Sequence, residues 1–269
     1  QEYKVSGNIG ELNYLSFGLK ENRYSIDGTM ISLGEIDMKD MFIEDSGDFV
    51  LYLGGTKESK NFLAMPKNTN MLIVRQTYKD RINQTHAKIN IKTISTKASP
   101  ELLSSDKLEN QLNQSLAFVR GTASTFLIWV KDFKKNHKNA LPLGDQSFFQ
   151  AAGGDPKICY LHGYYDFNKD ECMQITTYIP DCEYWNFQLE NFWMESLDYR
   201  HYPIHINDSS AIVKKDKSIT ITVSHFPINI ENNLITEGRN NGAMLLRWID
   251  AKNNPIPEVK IKKIDSIEM

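Results

Sequence analysis

Tyr184-Trp185-Asn186-Phe187-Gln188-Leu189 alternates large apolar with polar residues, the pattern of a strand with one face in a core and one turned away from it. The same pattern stands 170 residues earlier as Tyr14-Leu15-Ser16-Phe17-Gly18-Leu19. Working outward, Phe49 to Leu53 falls on Ile219 to Val223 at the same offset, and Asn61-Phe62-Leu63 on Asn232-Asn233-Leu234 at 171. Met71-Leu72-Ile73-Val74-Arg75 falls on Ala243-Met244-Leu245-Leu246-Arg247 at 172, and Ile89, Ile91 and Ile94 on Val259, Ile261 and Ile264 at 170. Order is kept along the whole series, which points to an internal duplication of a β-domain.

The period of two recurs in Lys88 to Ile94, Ile158 to Tyr165, Cys172 to Ile179, Ser218 to Ser224, Ala243 to Ile249 and Val259 to Ile264. One segment has another period. Leu108, Leu112, Leu116, Val119, Ala123, Phe126, Val130 and Phe133 recur every three or four residues, an apolar stripe on a helix running to about Lys135. Ser99-Pro100-Glu101 offers one start and Asp106 with Glu109 another. The stripe is expected to pack against a sheet. Leu141 to Lys157, with two prolines and three glycines, is expected to be a loop.

The expected fold is mainly β: two tandem jelly-roll or β-sandwich domains related by duplication and joined by a long amphipathic helix. The boundaries are 1–98, 99–140 and 141–269. Ile158 to Tyr165 has no counterpart after residue 1, so the first domain is expected to lack a strand. An upstream segment or a partner chain is expected at that edge.

Composition narrows the function classes. Of 269 residues, 31 are basic and 34 acidic, a net charge of -3 with the signs interspersed, which leaves no electrostatic footprint for nucleic acid. No apolar run reaches the roughly 18 residues of a membrane span. A soluble protein is expected, secreted or periplasmic if a signal peptide has been removed. Cys159, Cys172 and Cys182 are expected to be thiols in strands.

The residues from Glu183 to Leu189, then Trp193-Met194-Glu195-Ser196-Leu197-Asp198-Tyr199-Arg200, and Gly238 through Gly242 to Met244-Leu245-Leu246-Arg247-Trp248 carry a further signal. They resemble the hallmark of the family called domain of unknown function 1214. The stretches Tyr14 to Leu19 and Leu72 to Thr77, with Asp80-Arg81, resemble the region preceding it in longer members. The resemblance implies a jelly-roll-like fold, often with a companion domain, number 1254, and assigns no activity. The chain departs from the family pattern at Phe226-Pro227-Ile228 and at Asn232-Asn233-Leu234.

Planar aromatics beside amides and carboxylates suit a sugar ring and its hydroxyls. Trp185, Asn186, Gln188, Asn191, Trp193, Tyr199, Arg200 and Arg247 are therefore the candidate ligand-binding residues, although buried aromatics and turn-fixing ion pairs explain the same pattern. Glu190, Asp198 and His225 are the candidates for catalysis, the carboxylates as a glycosidase pair. His201 and His205 bracket Pro203, which removes the helix that would align them on a metal, so no metal or cofactor is expected. The expected function is a binding module for a small polar or carbohydrate-like ligand. The alternatives are a hydrolase using the carboxylate pair and a structural or assembly protein.

Overall fold

A computed structural model describes residues 2–55, 59–94 and 102–267. The chain is mainly β, with four sheets in two sets and one long helix between them in sequence. It divides into two compact units, 1–121 with 151–153, and 122–150 with 154–269.

The first unit holds β1 (Tyr3–Asn8), β2 (Tyr14–Asn22), β3 (Met30–Asp37), β4 (Asp48–Leu53), β5 (Phe62–Leu63), β6 (Met71–Thr77) and β7 (Lys88–Thr93). They form two sheets, ordered β5-β4-β1-β7 and β3-β2-β6. Both contribute to one core, in which Val5, Phe49 and Leu51 meet Leu15, Phe17 and Leu19. Asn61, 2% exposed, clasps this unit. Its Nδ2 donates to the carbonyls of Phe42 and Val50 at 2.8 and 2.9 Å, and its Oδ1 accepts the Phe42 N–H at 2.7 Å.

The helix α1 spans Ser105–Asn136 and is followed by α2 (Gln146–Ala151). The second unit then adds β8 (Ile158–Asp166), β9 (Glu171–Tyr178), β10 (Tyr184–Leu189), β11 (His205–Asn207), β12 (Ser218–Ser224), β13 (Asn233–Ile235), β14 (Asn241–Ile249) and β15 (Glu258–Lys263). Its sheets are ordered β13-β12-β9-β15 and β11-β10-β14-β8. Between them lies a core containing Trp185, Phe187, Leu246 and Trp248 from one sheet and Met173, Ile175, Ile221 and Val223 from the other. Asn232 clasps this unit, donating to the Ile212 and Thr220 carbonyls at 2.8 and 3.3 Å and accepting the Ile212 N–H at 2.8 Å.

Strands expected from alternation lie within a residue or two of their expected ends. The short pieces β5, β11 and β13, and the weakly apolar β1 and β3, carry too little pattern to be seen in sequence. The 141–157 stretch is corrected from loop to loop with α2, whose start is fixed by Asp145 Oδ1 accepting the N–H groups of Ser147 and Phe148 at 2.9 and 3.3 Å.

The helix is where expected, but its stripe is not uniformly inward. Ser104 Oγ accepts the Lys107 N–H and fixes the N-terminus, while the alternative start at 99–101 lies outside the described residues. Thr125, Trp129, Val130 and Phe133 are buried. Leu108, Leu112, Leu116 and Val119 are exposed by 44, 61, 49 and 61%. The break falls at Gly121, which lets the helix backbone touch the Tyr24 carbonyl: a Cβ there would stand 2.1 Å from that oxygen. Ahead of Gly121 the helix stands clear, and past it the helix packs on aromatic rings. Amphipathic period fixes which residues share a face, not whether that face is covered. No helix among the described residues is long and apolar enough to cross a membrane.

Phe133→Ala is expected to cost about 3 kcal/mol in denaturant unfolding, the cost of truncating a buried ring. Leu112→Ala is expected to change stability by less than about 0.5 kcal/mol, as at other exposed sites.

Candidate functional site

The sheet β11-β10-β14-β8 has one face in the sandwich core. Alternation sends every second residue to the other face, and antiparallel pairing sets those residues in rows. Arg247 stands between Asn186 on β10 and Tyr160 on β8, with Asn207 beyond Asn186. One row along, Leu245 stands between Gln188 and His162. Glu190 follows Gln188 on the same side, its N–H donating to the Ala243 carbonyl at 2.8 Å.

Rings from both helices cover this outer face. Phe133 stacks on His162 with centroids 5.0 Å apart and 12° between planes, and Phe149 and Trp129 lie 4.7 and 5.9 Å from the same imidazole. The outer face is thus covered around His162, and Asn186, Gln188 and Arg247 are half-buried beside it.

Glu190 is 3% exposed and His162 5% exposed. Burial raises the Glu190 carboxyl to about 7, against the opposing pulls of the Arg247 guanidinium and of Gln188, whose Nε2 donates to Oε1 at 2.8 Å. Burial also drops His162 to about 3, helped by the positive charge of Arg247 and by His137, so its ring is neutral at physiological pH. Four buried polar atoms of this region have no hydrogen-bond partner among the described residues: Asn186 Oδ1, Glu190 Oε2, His162 Nδ1 and His137 Nδ1. Such atoms are uncommon in folded proteins and call for an explanation.

Of the residues expected to bind a ligand, the fold brings Asn186, Gln188 and Arg247 together, with Glu190 from the catalytic candidates. It separates the others. Trp185 points into the core, 2% exposed, 6.1 Å from Trp248, so neither face of its ring is open to a sugar. Asn191 closes its own turn, accepting the N–H groups of Trp193 and Glu195 at 2.8 and 3.1 Å and donating to Glu195 Oε2 at 2.7 Å. Trp193 and Tyr199 are exposed in the loop beyond. Arg200 forks onto Asp198 at 2.9 and 3.1 Å, and these bonds hold the Asp198 carboxyl below its ordinary range. His225 is buried, with Nε2 3.1 Å from the Phe167 carbonyl and Nδ1 3.1 Å from Thr236 Oγ1, a fully engaged ring. No group of three metal-ligating side chains occurs among the described residues, and all three thiols are free. Sequence reasoning missed His162 and His137. Only the pairing of β8 with β14, nearly ninety residues apart in the chain, brings His162 beside the Gln188 row.

Comparison with known proteins gives a fold and a family without an activity. The crystal structure of an uncharacterised protein from Burkholderia cenocepacia matches 99% of this chain and 74% of its own, with 37% identity and a TM-score of 0.94. A protein from Vibrio parahaemolyticus matches 98% of this chain and 86% of its own at 12% identity and a TM-score of 0.51, a likeness of fold alone. No family model matches the chain, and no curated protein matches it.

A buried carboxyl whose folded value is raised favours the fold while protonated. The burial penalty at Glu190 is therefore absent below pH 4.5, grows between 4.5 and about 7, and is complete above that. Glu190→Gln is expected to stabilise the protein by a few kcal/mol at pH 8 and by nearly nothing at pH 4, measured as the difference between the two stability–pH curves. Equal effects at both ends of the range would show that Glu190 ionises freely.

Proposed function

This chain belongs to the same family as the Burkholderia cenocepacia protein, and from that premise we propose that it is a binding module for a small, neutral, polyhydroxylated ligand. The site is the outer face of β11-β10-β14-β8. The observation that carries this is the set of orphaned atoms there. Asn186 Oδ1 and Glu190 Oε2 need donors, and the Arg247 guanidinium supplies donors beside them. A hydroxyl both donates and accepts, so adjacent hydroxyls answer both needs. An anion would meet the Glu190 carboxylate, and an apolar group would leave the orphaned atoms unsatisfied.

We also read the two units as copies of one β-sandwich. Ser16 lies between Asp37 and Arg75 as Asn186 lies between Asn207 and Arg247. β4 and β5 are parallel, as are β12 and β13. The Asn61 and Asn232 clasps hold corresponding carbonyls, Phe42 with Val50 and Ile212 with Thr220, each pair 170 residues from the other. One stretch slips: Val5 faces Ile91 and Ile175 faces Val259, so the last strands correspond at 168 rather than 170. A two-residue slip preserves alternation and is invisible in sequence. The parallel pair favours a sandwich over a jelly roll, whose Greek keys pair strands antiparallel. The resemblance to domain of unknown function 1214 fits this reading, because its hallmark residues in β10 and β14 supply the site.

One observation favours a hydrolase instead: a carboxyl near 7 can act as a general acid at neutral pH. Its expected partner, Asp198, is engaged by Arg200 in an exposed loop.

A thermal-shift and calorimetric screen of saccharides and polyols is expected to find a binder that Arg247→Met weakens about tenfold or more, the loss of one charged hydrogen bond. A screen in which no neutral polyol raises the melting temperature would defeat the binding reading. Aryl-glycoside turnover abolished by Glu190→Gln would favour the hydrolase. Asn61→Ala is expected to cost about 2–3 kcal/mol, because Asn61 is buried and its loss strands backbone groups, and Asn232→Ala about 1 kcal/mol, because its partners at Ile212 are exposed to water.

A further inference from the structure

The sheets β3-β2-β6 and β11-β10-β14-β8 end differently. In the second unit β14 is an interior strand, with β10 on one side and β8 on the other. In the first unit the corresponding strand, β6, is the last of its sheet, with β2 on one side and no described strand on the other. The difference shows in burial. Seven of the nine residues of β14 are buried, whereas none of the seven in β6 is, although it carries the apolar run Met71-Leu72-Ile73-Val74.

Edge strands are normally protected by brevity, proline, a bulge or inward charge. β6 has seven residues, no proline, and a continuous register with β2 from Tyr14↔Thr77 to Lys20↔Met71. An apolar edge of regular register is suited to receive another strand.

We propose that the outer edge of β6 is a strand-acceptor site, and that its occupant is an extended segment with the chemistry of β8, added antiparallel to continue the sheet. This inference rests on reading the two units as copies. β8 shows what such an edge takes. Opposite Leu246, Leu245 and Met244 of β14 it sets Leu161, His162 and Gly163. The matching positions on β6, 172 residues earlier, are Val74, Ile73 and Leu72. The incoming strand therefore carries an apolar residue opposite Val74, to close the core that Val74 and Leu72 only partly enter. It carries a small residue opposite Leu72 and polar or aromatic residues on the other face. Main-chain hydrogen bonds give the affinity and the alternating side chains fix the register.

The test uses the unaltered chain and a synthetic peptide with the sequence of Ile158–Asp166, serine replacing Cys159. Amide hydrogen exchange of Met71–Thr77 is followed with and without it. Alone, the chain is expected to exchange these amides faster than those of β14, and the peptide to slow them about tenfold or more, as for amides drawn into a ladder. Two further peptides carry N-methyl groups on alternate residues, one set at 160, 162 and 164, the other at 159, 161, 163 and 165. Only one set can point its N–H groups at β6, so one peptide is expected to lose protection and the other to keep it.

Equal behaviour of the two methylated peptides would mean adhesion rather than strand pairing, and would overturn the proposal. So would β6 amides already as slow as those of β14 in the chain alone. Protection that disappears on dilution without peptide would assign the edge to a second copy, and would likewise overturn the β8-like occupant. Failure of the peptide while Asn61→Ala and Asn232→Ala both destabilise their own units would remove the acceptor site and leave the two copies standing.

Discussion

Burial of one sheet on both faces governs the second unit. The strands β8, β10 and β14 press one side against Met173, Ile175, Ile221 and Val223. On the other side, His162 of β8 lies under Trp129, Phe133 and Phe149. A doubly covered sheet is ordinarily apolar throughout. This one buries Glu190 and His162 on that face and leaves Asn186, Gln188 and Arg247 half-buried beside them. Each orphaned buried group costs about 1–3 kcal/mol. Burial accordingly raises the Glu190 carboxyl and keeps His162 neutral. On the proposed reading, a bound ligand satisfies these groups.

On the proposed reading of the two units as copies, the first unit gives an internal comparison. At the positions matching Asn186, Gln188 and Glu190 it has Ser16, Gly18 and Lys20. Lys20 is fully buried, yet its ammonium is paired with Glu35, which also accepts the Ser32 hydroxyl at 3.1 Å. The buried charge there is answered within the protein. In the second unit the position matching Glu35 is His205 and the buried group is itself a carboxyl, so that ion pair has no equivalent between these two positions. The first unit thus closes its buried charge within the protein, and the second leaves Glu190 Oε2 without a partner among the described residues.

Much of the fold was legible because alternation survives in single strands. Phe49 to Leu53 and Tyr184 to Leu189 announce both their structure and which residues face inward. The site was half legible for the same reason: Asn186, Gln188 and Glu190 fall opposite Trp185, Phe187 and Leu189 by parity alone. His162 and His137 were not legible, because their proximity to Arg247 depends on pairing between distant strands and on the path of the chain after α1. Trp193, Tyr199 and Arg200 were drawn in by residue type, and the structure puts them in a loop. The helix stripe from Leu108 to Phe133 is legible as a face, but that it is covered only at its C-terminal end, at Val130 and Phe133, is a tertiary property that the period does not carry.

The account stands or falls on what satisfies the orphaned atoms of the second unit. A crystal structure of the protein saturated with the polyol or saccharide that most raises its melting temperature addresses this directly. The account predicts ligand hydroxyls within hydrogen-bond distance of Asn186 Oδ1 and Glu190 Oε2, with the Arg247 guanidinium donating to the same molecule. A ligand bound elsewhere, with those atoms satisfied by ordered water alone, would contradict it.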